Sequence, residues 1–241
     1  MPSPDVLLLR SPDDPDPYLQ AFEAAGYTAA CEPVLRFVFP NQEALRHRLR
    51  RADEVAGLIA TSPRVGRALH QAYRTEPDLR GRWENRRAYA VGPKTARWLQ
   101  KLGLDVIGED TGSAAALADL IVSGAHARPL LFLSGNRRRD VLPNRLRDAG
   151  VAFEEQVVYE THPRSTLDVP PPSETDWLVV FSPSGRDALA AADVPLAAYR
   201  VAAIGPTTAD ALRDAGHTVA AVAAAPAPEA LVRAIQDADA A

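Results

Sequence analysis

The chain has 241 residues, 46% of them hydrophobic, which is enough to bury one large core or two modest ones. Its 31 acidic and 27 basic residues are mixed along the sequence and give a formal charge of −4, which excludes the basic footprint of a duplex nucleic-acid binder. A single cysteine excludes an intramolecular disulfide. The single cysteine and the absence of a long apolar span together predict a cytoplasmic protein without a membrane segment.

Short apolar runs, each followed by a turn and a helical segment, recur along the chain. They are VLLL (6–9), GLIA (57–60), LLFL (130–133), WLVVF (177–181) and VAAI (201–204). None alternates with polar residues, which is typical of strands buried on both faces of a parallel sheet. The sequence therefore predicts a doubly wound α/β fold.

Residues that start and end helices flank these runs. Asp16 before Pro17 and Ser113 before an alanine-rich run predict helix starts, as does Thr or Lys after each Gly-Pro pair. Glycines fall where the helical spacing stops, at positions 26, 103, 150 and 216. Each strand is thus predicted to run through a short turn into a helix.

The strand, turn and helix units repeat. AVGPKTARWLQKLG (90–103) and AIGPTTADALRDAG (203–216) share seven of fourteen residues, and 58–69 aligns with 178–189. The repeat is compatible with two tandem domains or with one domain inserted into the other. An insertion needs two crossings of the chain, for which the extended segments 31–39 and 155–163 are the candidates.

Several of these motifs together resemble the uroporphyrinogen-III synthase family. The resemblance rests on TSPRVGRAL (61–69), VVYETHP (157–163), FSPSGRDAL (181–189) and the two Gly-Pro segments, in family order over nearly the whole chain. It implies an enzyme that cyclises hydroxymethylbilane, a linear tetrapyrrole with eight carboxylates, in tetrapyrrole biosynthesis.

The resemblance also implies the inserted arrangement. Two flavodoxin-like domains with parallel sheets are then joined by a two-stranded linker, with a cleft between them. The expected bounds are 1–36 plus 164–241 for the discontinuous domain, 40–158 for the inserted one, and linker strands near 33–39 and 156–163. The proline-rich stretch 163–176 is expected to be a linker or surface loop.

The turns after the strands are the candidate substrate site. In open α/β sheets ligands bind beyond the carboxyl ends of strands, and the N–H groups of a helix N-terminus bind anions. Repeated turns could therefore bind several carboxylates. The candidate residues are Arg10, Thr61, Ser62, Thr95, Ser134, Gly135, Asn136, Arg139, Ser182, Ser184, Gly205, Thr207 and Thr208.

Simpler roles stay open for several candidates. Thr95, Thr207 and Thr208 suit helix capping as well as ligand contact, and Ser62 and Ser182 suit turn formation. The strand pattern alone predicts that Tyr159 has a packing role. The resemblance instead implies that its phenol donates a proton to the leaving hydroxyl group of the substrate.

Other chemistry finds no support in the sequence. G-x-G-x-x-G, Walker, G-x-S-x-G and H-E-x-x-H motifs are absent, and the five histidines lack ligand spacing, so we expect neither a metal nor a cofactor. We expect a monomer. Two alternative functions stay open. One is a non-catalytic binder of tetrapyrroles or other polycarboxylates on the same fold. The other is a two-domain binding module of the periplasmic type, which a missing export signal disfavours.

Overall fold

The computed structural model describes residues 3–172 and 175–241, and the chain forms two compact units. The first unit spans Met1–Arg36 and His162–Ala241, and the second spans Phe37–Thr161. The chain leaves the first unit once and returns to it once.

The first unit is a parallel sheet with helices. Its strands are β1 (Val6–Leu9), β2 (Ala29–Cys31), β9 (Trp177–Val180), β10 (Arg200–Ala203) and β11 (Ala221–Val222). Their order across the sheet is β11-β10-β9-β1-β2, and every neighbouring pair is parallel. Its helices are α1 (Pro17–Ala24), α8 (Pro183–Ala191), α9 (Pro206–Asp214) and α10 (Pro228–Asp239).

The second unit has a larger sheet with six strands. Its strands are β3 (Leu35–Val38), β4 (Gly57–Ala60), β5 (Arg87–Ala90), β6 (Asp105–Ile107), β7 (Leu130–Gly135) and β8 (Phe153–Pro163), in the order β3-β8-β7-β4-β5-β6. Its helices are α2 (Gln42–Arg50), α3 (Pro63–Thr75), α4 (Asp78–Trp83), α5 (Pro93–Lys101), α6 (Ala114–Val122) and α7 (Val141–Asp148). The prediction of a doubly wound α/β fold with parallel sheets is confirmed.

The central strands are buried on both faces, as their lack of alternation predicts. In β1, Val6 and Leu8 belong to one buried cluster, whereas Leu7 and Leu9 belong to another. Successive residues of a strand point to opposite faces, so each strand contributes to two apolar layers. The helices pack on these layers, and they leave the strand-end turns at one edge of each sheet.

The helix boundaries follow local chemistry. The Asp16 carboxylate accepts the N–H groups of Tyr18 and Leu19, which satisfies two free donors at the start of α1. At the far ends, Gly103 and Gly216 take φ values of +90° and +83°, a left-handed region that residues with a β-carbon rarely adopt.

The segments expected to link the domains differ in part from expectation. Residues 31–39 are not one strand, because Cys31 ends β2 and β3 begins only at Leu35. Between them, the Glu32 carboxylate accepts hydrogen bonds from Arg164 and from the backbone N–H of Asp168, which fixes a corner. At the other crossing, β8 pairs with β7, so it is a strand of the six-stranded sheet as well as a crossing segment.

Candidate functional site

The strand-end turns of the second unit gather at one edge of its sheet. Strands β7, β4 and β5 are neighbours, and all three are parallel. Thr61 and Ser62 follow β4, Thr95 lies in the first turn of the helix after β5, and Asn136 follows β7. The sheet topology therefore brings the predicted residues of this unit to one edge.

The first unit repeats this arrangement. Strands β10, β9 and β1 are parallel neighbours. Gly205, Thr207 and Thr208 follow β10, Ser182 and Ser184 follow β9, and Arg10 follows β1. The predicted residues of each unit thus lie at the carboxyl ends of its strands.

The threonines after the two Gly-Pro turns do not cap their helices. The N-caps of α5 and α9 are Gly92 and Gly205, and neither helix start has a side-chain capping bond. Thr95 and Thr208 are only 3% and 5% exposed, and neither hydroxyl makes a capping bond to its helix. Of the two roles left open, helix capping is therefore absent in this structure, and contact with a ligand stays a prediction.

The two serines of the Ser-Pro turns differ from each other. Ser62 caps α3 by accepting the N–H of Arg64 at 3.3 Å, whereas Ser182 makes no capping bond to α8. Proline follows each serine as the first residue of the helix, where the missing N–H costs nothing. The start of α8 therefore keeps an uncapped N–H group at Ser184 that can bind an anion, whereas at α3 the Arg64 N–H is already occupied by Ser62.

Tyr159 lies beside a small cavity at the edge of the second unit. The cavity has a volume of about 220 Å³ and is lined by Thr61, Ala114, Phe132, Arg137, Arg138, Arg139, Leu142 and Tyr159. Apolar and cationic side chains thus surround the phenol. Such a lining suits a flat apolar ring that carries carboxylates.

The three consecutive arginines after β7 are not equivalent. Arg138 binds both carboxylate oxygens of Glu155 and also pairs with Asp140. Arg137 and Arg139 are exposed and have no acidic partner within the described residues. The turn therefore fixes one guanidinium internally and leaves two cations free beside the Tyr159 cavity.

Glu155 organises this turn. Its carboxylate accepts the Ser134 hydroxyl at 2.8 Å in addition to the two bonds from Arg138. Partial burial alone would raise the pKa of Glu155, but the hydrogen bonds from Arg138 and Ser134 outweigh burial and lower it. Sequence reasoning missed Glu155, because a glutamate on a half-exposed strand gives no sign of its partners.

Arg10 and Arg64 are also held by this chain's own groups. The Arg10 guanidinium pairs with Asp16 and Asp13, both at 3.0 Å, and lies over the Tyr18 ring. Arg64 stacks on Phe37 at 3.7 Å, and burial lowers the pKa of its guanidinium. The acidic loop after β1 thus neutralises Arg10, a partnership that the sequence pattern did not reveal.

Comparison with known proteins identifies the family. The family model described as uroporphyrinogen-III synthase HemD matches residues 16–233. The uroporphyrinogen-III synthase of Schizosaccharomyces pombe is 34% identical, with 95% of each chain covered, and that of Saccharomyces cerevisiae is 32% identical over 74% of each chain. The chain belongs to the uroporphyrinogen-III synthase family.

The fold agrees with this assignment. The crystal structure of uroporphyrinogen-III synthetase from Helicobacter pylori matches with a TM-score of 0.63 at 21% identity, covering 97% of this chain and 98% of that one. Family membership favours a synthase over a non-catalytic binder on the same fold. The matched range includes every candidate residue except Arg10.

Two further features bear on the family's chemistry in this chain. Residues 3–172 and 175–241 contain no group of three or more His, Cys, Asp or Glu side chains placed to hold a metal ion. Over the same residues, no helix is both long and apolar enough to cross a membrane.

We expect Glu155→Gln to lower the free energy of unfolding at pH 7. The folded-state pKa of Glu155 lies below the unfolded value, so its contribution is present above the unfolded pKa of about 4.3 and is lost as the pH falls through the folded value. Urea unfolding of both proteins between pH 3 and pH 7 measures the difference. Exposed Glu23, on α1, gives the control variant Glu23→Gln; a Glu155→Gln deficit that does not shrink at low pH would contradict this prediction.

Proposed function

We propose that this chain converts hydroxymethylbilane to uroporphyrinogen III, with loss of water and inversion of the last pyrrole ring. Family membership supports the reaction. The observation that carries the site is the Tyr159 phenol, in a cavity that adjoins the strand-end turns and is also lined by Arg137 and Arg139, which have no acidic partner within the described residues. The linear substrate carries eight carboxylates, and the turns supply anion-binding groups in both units.

Backbone donors hold most of these carboxylates in our proposal. Helices α3, α5, α8 and α9 each begin directly after a strand-end turn, with proline as the first residue. The dipoles of all four helices, and the uncapped N–H groups at the starts of α5, α8 and α9, attract anions without any formal charge on the protein. A chain with a net charge of −4 can therefore bind a polyanion.

Side chains add to this binding at a few places. The hydroxyls of Thr95 and Thr208 are positioned to donate to a carboxylate. Arg137 and Arg139 supply charge-assisted hydrogen bonds, which are stronger than neutral ones. Ser184 and Thr207 contribute through the backbone of their turns, whereas the Asn136 N–H already donates to the Tyr159 carbonyl oxygen.

Tyr159 assists the step that starts the reaction. The pyrrole nitrogen of the first ring supplies the electron pair that breaks the carbon–oxygen bond, and the phenol gives its proton to the departing oxygen. Water leaves, and an electrophilic azafulvene-type cation forms. The last ring attacks it through its substituted carbon to give a spiro intermediate. The bond from this carbon to the methylene bridge of the third ring then breaks, and the unsubstituted carbon of the last ring attacks the freed methylene cation. The proton lost from that carbon returns to the phenolate.

Positioning decides which isomer forms. The free substrate closes to the unrotated type I macrocycle, so the protein must favour attack by the substituted carbon of the last ring. A tenfold preference requires only about 1.4 kcal/mol of differential transition-state stabilisation, and orientation can supply several times that. We therefore expect removal of most single hydroxyls in the turns to be tolerated.

A monomer in the reducing cytoplasm remains our prediction for the oligomeric state and location of the protein.

Freshly generated hydroxymethylbilane tests the proposed reaction. We expect the purified protein, without added metal or cofactor, to yield mainly uroporphyrin III after oxidation, because it suppresses the unrotated closure. Chromatographic separation of the type I and type III isomers gives the ratio. Type I alone, formed at the uncatalysed rate by folded protein, would show a non-catalytic binder and overturn the proposal.

Tyr159→Phe is expected to lower turnover by roughly tenfold to a hundredfold, at the low end of what a general acid contributes, because the phenol only assists the loss of water. The matched control is Tyr73→Phe. The Tyr73 hydroxyl is buried without a hydrogen-bond partner in the described structure, so its removal should leave turnover unchanged. Initial rates of product formation measure both variants, and full activity of Tyr159→Phe would remove the phenol from the mechanism.

A further inference from the structure

We propose that Gly135 and Asn136 are positioning residues that fix the Tyr159 phenol for the reaction. The inference rests on the function proposed for Tyr159. It assigns these two residues a role toward a side chain of this protein, in addition to their place in a substrate-binding turn.

Gly135 lies directly against the phenol ring. A β-carbon at this position would be 2.5 Å from Tyr159 Cε2 and 2.6 Å from Oη, and nearer still to Cζ. Real β-carbons essentially never approach other heavy atoms this closely, so any side chain here must displace the ring. The hydroxyl end of Tyr159 therefore rests on the bare backbone of Gly135.

The strand register produces this contact. Ser134 is opposite Val157, whereas Gly135 is opposite Tyr159, so β8 carries one extra residue, Val158, at this point. Consecutive residues of a regular strand point to opposite faces, yet Val158 is part of one buried cluster and Tyr159 packs against the same cluster. The bulge re-aims Tyr159 toward Gly135, as bulges beside active sites often re-aim a side chain.

Asn136 holds the strand on the other side of the bulge. Its backbone N–H donates to the Tyr159 carbonyl oxygen at 3.2 Å, and its Oδ1 accepts the Thr161 N–H at 2.9 Å. These two bonds fix β8 at Tyr159 and two residues beyond it. Asn136 is exposed, so its side chain acts on the strand and adds little to the core.

A fixed phenol matters because proton transfer depends on distance. A displacement of about 1 Å in a reacting group can lower a rate about a hundredfold. The ring sits between a cluster it packs against and a glycine that leaves no spare space. Gly135→Ala should therefore displace the hydroxyl and lower kcat by tenfold or more, with a smaller effect on KM.

A double-mutant cycle tests whether this loss passes through Tyr159. We expect Gly135→Ala to lower kcat at least tenfold when Tyr159 is present and less than twofold in a Tyr159→Ala background, where no ring opposes the new methyl group. Gly81→Ala is the matched control, because Gly81 is exposed on α4 and a β-carbon there meets nothing within 4 Å. Equal losses in both backgrounds would overturn the proposal.

A readout independent of activity uses ¹⁹F NMR of the full chain labelled with 3-fluorotyrosine. The resonance missing from Tyr159→Phe belongs to Tyr159; it should shift in Gly135→Ala and stay in place in Gly81→Ala. If Gly135→Ala folds poorly, Asn136→Ala should broaden or shift the same resonance, and Asn136→Asp, which keeps an oxygen acceptor for Thr161, should restore it. An unmoved resonance would refute the positioning role, whereas full activity of Tyr159→Phe would refute the proposed function of the phenol.

Discussion

Parallel pairing of short strands buried on both faces is the constraint on which both units depend. A strand such as β4, with Leu58 in one apolar cluster and Ile59 in another, is stable only when helices cover both sides of its sheet. Each strand must then pass through a turn into a helix and return to the same edge. The carboxyl ends collect there together with the helix N-termini, so the packing that stabilises the fold also assembles the candidate site.

The same constraint explains how an acidic chain can bind a polyanionic substrate. The N–H groups at the helix starts are neutral donors, and each unit has several of them at one edge. Two of the obvious cations are neutralised within the protein, because Arg10 pairs with Asp13 and Asp16 while Arg138 pairs with Glu155. The charge that remains beside Tyr159 comes from Arg137 and Arg139, which line its cavity, and from Arg64, which stacks on Phe37. In our proposal, geometry rather than net charge determines where carboxylates bind.

Local patterns in the sequence predicted the features that depend on neighbouring residues. The apolar runs predicted the buried strands, Asp16 and Ser113 predicted helix starts through their capping oxygens, and Gly103 predicted a helix end. The position of the turns followed, since they lie between these elements. The fold class and the edge of the sheet that carries the candidate residues could thus be predicted without coordinates.

Features that depend on distant residues were not predictable in this way. The extra residue in β8 has no local signature in the sequence. It is defined only by the pairing with β7, in which the adjacent residues Ser134 and Gly135 are opposite Val157 and Tyr159, two residues apart. The sequence also does not show that the Glu155 carboxylate pairs with Arg138, or that the Thr95 hydroxyl makes no capping bond. These features are the ones that separate a binding or positioning residue from a merely polar one.

The central claim, that the strand-end turns of both units hold the carboxylates, is tested most directly by amide chemical shifts. Uroporphyrinogen III is titrated under reducing conditions into the ¹⁵N-labelled chain, and ¹H–¹⁵N spectra are followed. The account predicts that the largest shifts occur at backbone N–H groups in 62–66, 94–96 and 135–139 of one unit and in 184–186 and 207–209 of the other. Shifts confined to a single unit, or centred away from these turns on the surface of α2, would contradict it.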